Sequence, residues 1–84
     1  MKLVFDPDAL DDLRYWVKKD HRTASKILKL SDEILKDPFI GTGKPEPLKH
    51  SLSGSWSRRI DQKNRLVYKA EKESIIILSC RYHY

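Results

Sequence analysis

The chain has 84 residues, 39% of them apolar and 35% charged, and carries a net charge of +5. That length allows one domain, residues 1–84, with a thin core, and the balance of apolar to charged residues favours folding over disorder. The longest aliphatic run, Ile75 to Leu78, falls far short of the roughly 18 residues of a membrane span, and Met1 to Phe5 runs straight into Asp6-Pro7 without a signal-peptide core, so a cytoplasmic protein is expected.

Residues 2–5 predict a short strand. Asp6-Pro7 follows as an N-cap and a proline at the first helical position, where the missing N–H costs nothing. Leu10, Leu13, Trp16 and Val17 recur at helical spacing and carry a first helix to about Lys19. Asp8, Asp11 and Asp12 near its start complement the helix dipole, and they read as a solvated face rather than acid–base machinery. A break at 20–23 precedes a second stripe of Ala24, Ile27, Leu28, Ile34 and Leu35, which Pro38 ends. The short connection predicts an antiparallel helical hairpin with His21 exposed in the link.

Residues 38–50 contain two glycines and three prolines and read as an irregular loop of restricted conformation. Gly41 and Gly43 are not followed by a Gly-Lys-Ser/Thr ending, so no nucleotide cradle or other cofactor is expected. Segments 55–60 and 65–70 are strands joined by the polar turn Asp61-Gln62-Lys63-Asn64. A last strand runs from Ser74 to about Tyr82, and its aliphatic run, apolar on both parities, marks a central position. The predicted fold class is α+β: a two-helix hairpin packed on a mainly antiparallel four-stranded sheet, in the order β-α-α-β-β-β.

The charge is unevenly spread. Residues 1–37 hold eight Lys/Arg and eight Asp/Glu, whereas residues 38–84 hold nine Lys/Arg against four acids. A neutral scaffold followed by a basic surface suits a polyanionic partner, either nucleic acid or an acidic protein segment. Covering one sheet face with helices leaves the other open, and strand alternation puts Arg59 with Ser57 on one face of its strand. Cutting RNA without a metal needs a base for the ribose 2′-hydroxyl, an acid for the leaving 5′-oxygen and cations for the phosphorane. The basic half offers Glu46, His83, Arg59 and Arg65 for these tasks. Arginine binds phosphate bidentately, and histidine titrates near neutrality.

Each of these residues also has a plainer reading. An isolated glutamate among lysines is commonly a surface ion-pair partner, strand arginines are commonly a solvated face, and a penultimate histidine is commonly a frayed end. His50, His83 and Cys80 show no metal-ligand spacing, so no metal is expected. Cys80, the single cysteine, excludes an internal disulfide and reads as a small buried hydrophobe. Trp16 reads as core, and Trp56 as core or a base-stacking platform. Composition and spacing alone support a basic α+β domain that binds RNA.

The stretch Gly43-Lys44-Pro45-Glu46-Pro47-Leu48-Lys49-His50, followed by Leu52-Ser53-Gly54 and Trp56-Ser57-Arg58-Arg59-Ile60, resembles the signature of YoeB toxins. Asn64-Arg65-Leu66-Val67-Tyr68 and the ending Cys80-Arg81-Tyr82-His83-Tyr84 extend the resemblance to the last residue, while the helical half matches in pattern and length. YoeB belongs to the RelE-like superfamily, and the resemblance implies the fold predicted above. It also implies a ribosome-dependent endoribonuclease that cuts mRNA in the A site. On that resemblance Glu46 is the general base, His83 the general acid and Arg65 the stabiliser of the transition-state phosphate. Arg59 and Lys49 would grip nearby backbone, and Tyr84 would orient the nucleotide or support the acid. Each position holds the residue type the family uses. The implied partners are the ribosome and mRNA, a YefM-like antitoxin with an acidic segment, and a second copy in a homodimer. Two rival readings stand beside this one. The first is a module that grips RNA or ribosome without cutting; the second is a co-repressor that reaches operator DNA only through its antitoxin.

Overall fold

The computed structural model describes residues 1–49 and 54–82. Strand β1 (Lys2–Phe5) leads into helix α1 (Pro7–Lys19), with Pro7 in the first turn and Lys18 and Lys19 in the last. A single residue, Asp20, separates α1 from α2 (His21–Lys36) and serves both helices. Its backbone N–H donates to Trp16 O, closing α1, and its carboxylate accepts from the Arg22 N–H and the Thr23 hydroxyl, opening α2. The expected four-residue break is therefore one residue long. His21, exposed as expected, begins the second helix.

The remaining strands are β2 (Glu46–Pro47), β3 (Trp56–Arg59), β4 (Arg65–Ala70) and β5 (Ser74–Ser79), in the sheet order β1-β5-β4-β3-β2. The sheet has five strands rather than the four expected, because part of the proline-rich loop adds β2 at its edge. β1 pairs with β5 in parallel, and the other neighbours are antiparallel. β5 is central, as its doubly apolar run requires, but it ends at Ser79 rather than near Tyr82.

The helical hairpin packs on one sheet face. Ala9, Ile27, Leu30 and Ile34 meet Ile60, Leu66, Tyr68, Ile75 and Ile77, all buried. The stripe differs from expectation at its margins. Leu28 is 47% exposed and Val17 58%, while Ala9 and Leu30 occupy the buried lines instead. In so small a domain the contact strip is narrow, so residues one position off its centre fall outside it. Trp16 is half-buried in the core, and Trp56 packs on the core edge with its ring 4.8 Å from that of Phe39.

Arg58 departs most from the amphipathic expectation. Its neighbours Ser57 and Arg59 face away from the helices, so strand alternation turns Arg58 toward them. There it is fully buried, and every nitrogen finds a partner. Nη2 donates to Asp37 O (2.7 Å) and Ile40 O (3.0 Å), Nη1 to Thr42 O (3.3 Å) and Glu33 Oε1 (3.4 Å), and Nε to the Tyr68 hydroxyl (3.2 Å). Tyr68 in turn donates to Pro38 O at 2.6 Å. These acceptors belong to the end of α2 and the loop after it, so one guanidinium fixes the chain from Asp37 to Thr42 against the sheet. Gly41 is required in that cradle. Its φ is +143°, and a Cβ there would lie 2.5 Å from Arg58 Nη1.

Glu33 completes the cluster. The Thr42 amide and hydroxyl hold its carboxyl below the ordinary glutamate value; burial opposes them and Arg58 reinforces them. A lowered folded pKa contributes stability above the unfolded value, and that contribution is lost as pH falls through the folded one.

Replacing Arg58 with methionine keeps the volume but strands a carboxylate and three loop carbonyls, so we expect destabilisation of about 3–5 kcal/mol. Urea unfolding of the two proteins measures it; a loss under about 1 kcal/mol would mean that water satisfies the loop without Arg58.

Candidate functional site

The loop that carries Glu46 is held along the edge of β3 from both sides. Gly43 O accepts from the Arg59 N–H at 2.7 Å, β2 pairs Glu46 with Ser57 and Pro47 with Trp56, and the Leu48 N–H donates to Ser55 O at 2.9 Å. Proline suits such a strand because an edge leaves one side without ladder bonds. Gly43 (φ +88°) and Lys44 (φ +51°) turn the chain into this path; a Cβ on Gly43 would come within 2.9 Å of Arg59 O. The irregular loop expected from sequence is thus, over residues 43–48, an edge segment in register with β3.

Register then assembles the site. Paired residues share a face, so Glu46, Ser57 and Val67 fall on the face opposite the helices, together with the directly paired Arg59 and Arg65. Arg65 Nη1 donates to Glu46 Oε1 at 2.8 Å and to Ser57 Oγ at 3.3 Å. Glu46 is half-exposed in that ion pair and Arg65 about one-fifth exposed. Two arginines opposite one another repel, which concentrates positive potential beside a carboxylate. Arg59 is exposed and also lines a cleft of about 350 Å³ with Lys26, Lys44, Asp61 and Gln62, so the positive rim continues round the sheet edge. Lys49 lies exposed just past β2. His83 and Tyr84 lie outside the described residues.

The chain leading to them is well anchored. After β5 the Cys80 N–H donates to Asp12 Oδ2 (3.0 Å), and Cys80 O accepts from the Trp16 indole (2.8 Å). Arg81 lies over the Tyr15 ring, 3.5 Å from its centroid. Tyr82 has φ +64°; its N–H donates to Asn64 Oδ1 and its carbonyl accepts from the Arg65 N–H at 2.8 Å. Strand alternation therefore does not govern residues 80–82.

The structure brings Glu46, Arg59 and Arg65 to one face; sequence reasoning offered them as candidates without placing them on a common surface. It missed four contributors. Ser57 bridges to Arg65, Arg58 builds the loop cradle, Asn64 holds Tyr82, and Asp12 caps Cys80 instead of lying on a solvated face. Parity alone points Arg58 inward and Ser57 outward. The Asn64 and Asp12 contacts join residues 18 and 68 positions apart, and no local pattern reports them. Among the described residues no three His, Cys, Asp or Glu side chains gather as metal ligands.

Residues 5–84 match the family model of the YoeB-like toxin of bacterial type II toxin–antitoxin systems. Toxin RelK of Mycobacterium tuberculosis is 54% identical over 80 residues, which cover 95% of this chain and 94% of that protein. The YoeB dimer from Staphylococcus aureus superposes with a TM-score of 0.92 at 40% identity, covering 100% of this chain and 98% of that one. The heterotetrameric YoeB–YefM toxin–antitoxin complex from the same organism gives a TM-score of 0.90, again at 40% identity, with coverage of 100% and 98%.

Cys80 is excluded as a nucleophile. It is fully buried with its thiol toward Ala9 O, and burial, with Asp12 adding to it, pushes its pKa up to about 12. In native protein at pH 8 we expect no alkylation by iodoacetamide over hours, and rapid alkylation once urea unfolds the chain; equal rates in the two states would contradict this burial.

Proposed function

The chain belongs to the YoeB-like toxins of bacterial type II toxin–antitoxin systems, and on that premise we propose that it is a ribosome-dependent mRNA endoribonuclease acting in the A site. The observation that carries the reading is the contact of Arg65 with both Glu46 and Ser57 on the open, basic sheet face. A carboxylate, two paired arginines and the histidine that follows Tyr82 in the sequence supply what phosphodiester transesterification needs.

In this mechanism a phosphate entering the site competes with Glu46 for Arg65. Glu46 is then left as a carboxylate able to take the proton of the ribose 2′-hydroxyl. The 2′-oxygen attacks phosphorus, and Arg65 holds the charge that builds on the phosphorane oxygens. The P–O5′ bond breaks as His83, the residue after Tyr82, donates a proton to the leaving oxygen. The products are a 2′,3′-cyclic phosphate and a 5′-hydroxyl, with no metal required. Arg59 and Lys49 grip the flanking backbone, and Tyr84 orients the nucleotide or supports the acid. The ribosome supplies substrate alignment, an effect that reaches about 7–11 kcal/mol at its limit. A single domain, residues 1–84, suffices for this chemistry when the ribosome holds the substrate.

The same basic face suits an acidic segment of a YefM-like antitoxin that folds as it binds, which fits the charge excess confined to residues 38–84. The likeness to the S. aureus toxin–antitoxin complex supports that partner, and the likeness to the S. aureus dimer supports a homodimer. Operator DNA would be reached through the antitoxin.

The test is cleavage of a defined mRNA held on purified ribosomes. We expect Glu46→Gln to lower the rate by about 10²–10⁴-fold. A single 2′-deoxyribose at the cut position should abolish cleavage there. A Glu46→Gln protein as active as wild type would remove the base. An uncut message under folded, ribosome-bound wild type would leave a binding module as the better account.

A further inference from the structure

Beyond the residues that touch substrate, the segment bearing the proposed acid must be aimed. We propose that Asn64 is a positioning residue: with Asp61 it forms a latch that holds the C-terminal segment beside Arg65. The proposal rests on the nuclease reading above.

Asn64 is the last residue of the β3–β4 turn and is 8% exposed. Its Oδ1 accepts from the Tyr82 N–H, and the N–H of the very next residue, Arg65, donates to Tyr82 O. Two bonds thus clasp one peptide unit on each side of Tyr82. The clasp also holds Tyr82 in a left-handed conformation that a tyrosine adopts only under constraint. Asn64 is itself fixed. Its Nδ2 donates to both Asp61 oxygens at 3.1 Å, and Asp61 Oδ1 also accepts from the N–H groups of Lys63 (2.8 Å) and Asn64 (2.7 Å). The side chain therefore has one orientation, its oxygen toward Tyr82 and its nitrogen toward Asp61.

The arrangement couples two parts of the mechanism that are distant in sequence. Arg65 contacts Glu46 through its side chain and Tyr82 through its backbone. A shift of the turn would move the phosphate-binding guanidinium and the root of the acid-bearing segment apart. Misplacement of a catalytic group by about 1 Å costs on the order of 100-fold in rate.

The donor and acceptor logic provides a rescue that a generic structural role does not predict. Asn64→Ala removes the acceptor for Tyr82. Asn64→Asp keeps the acceptor but sets a second carboxylate against Asp61. The double variant Asp61→Asn, Asn64→Asp exchanges the two groups: Asn at 61 still accepts from the turn N–H groups and donates across, and Asp at 64 accepts from Tyr82.

Two measurements decide: kcat and KM for mRNA cleavage on ribosomes, and hydrogen exchange of the Tyr82 amide in the free protein. Both single variants should lose about 10–100-fold in kcat with KM little changed, and Tyr82 protection should fall by about tenfold or more. The exchanged double variant should recover most of both. Wild-type kcat in Asn64→Ala overturns the positioning role, as does a kcat loss with Tyr82 protection intact or a double variant no better than the worse single. Wild type failing to cut overturns the nuclease reading itself, which separates that failure from failure of the latch.

Discussion

A fully buried guanidinium holds this domain in its working shape. Arg58 stands in a strand among core residues, where an unpaired charge would be costly, and it meets that cost by spending its donors on backbone carbonyls of one loop. That loop joins the second helix to the edge segment bearing Glu46. Without the guanidinium the carbonyls from Asp37 to Thr42 would need water inside the fold, and the chain would have no reason to follow the sheet. Among the described residues no buried side-chain polar atom lacks a partner, so the polar core is closed as well as the apolar one.

From that constraint the site follows by register. The loop emerges at Gly43, bonds to Arg59 and pairs Glu46 with Ser57. Glu46 thereby comes within hydrogen-bond reach of Arg65, which lies two strands away. Two neighbouring residues of one strand divide the labour: Arg58 points inward and organises the loop, while Arg59 points outward and adds charge to the open face. The two helices bury the other face, and the first contributes Asp12 and Trp16, which hold the chain after β5. The basic open face and the scaffold are thus opposite sides of the same few strands.

The sequence carried the hairpin, the element order and the central β5, because each depends on local periodicity: 3.6 for the helices, two for the hairpin strands, apolar on both parities for β5. It did not carry β2, whose two residues have no pattern of their own and pair only because flanking bonds and the Arg58 cradle lay them there. It put Arg59 and Arg65 on adjacent strands and Glu46 in a rigid loop, but spacing could not tell a catalytic carboxylate from a surface ion-pair partner. The catalytic role proposed for Glu46 comes from the family resemblance and not from spacing. Leu28 and Val17 fit the helical stripe yet lie exposed, because periodicity marks a direction round the helix and not the width of the contact.

The central claim is that this face cuts mRNA by attack of the ribose 2′-hydroxyl, and the ends it leaves are its most direct record. Mass spectrometry of the fragments from a short defined message, cut on purified ribosomes with chelator present, identifies them. The account predicts a 2′,3′-cyclic phosphate, or the monophosphate formed from it, on the upstream fragment and a 5′-hydroxyl on the downstream one. A 3′-hydroxyl with a 5′-phosphate would mean that water, not ribose, was the nucleophile, and would contradict the roles given to Glu46 and Arg65.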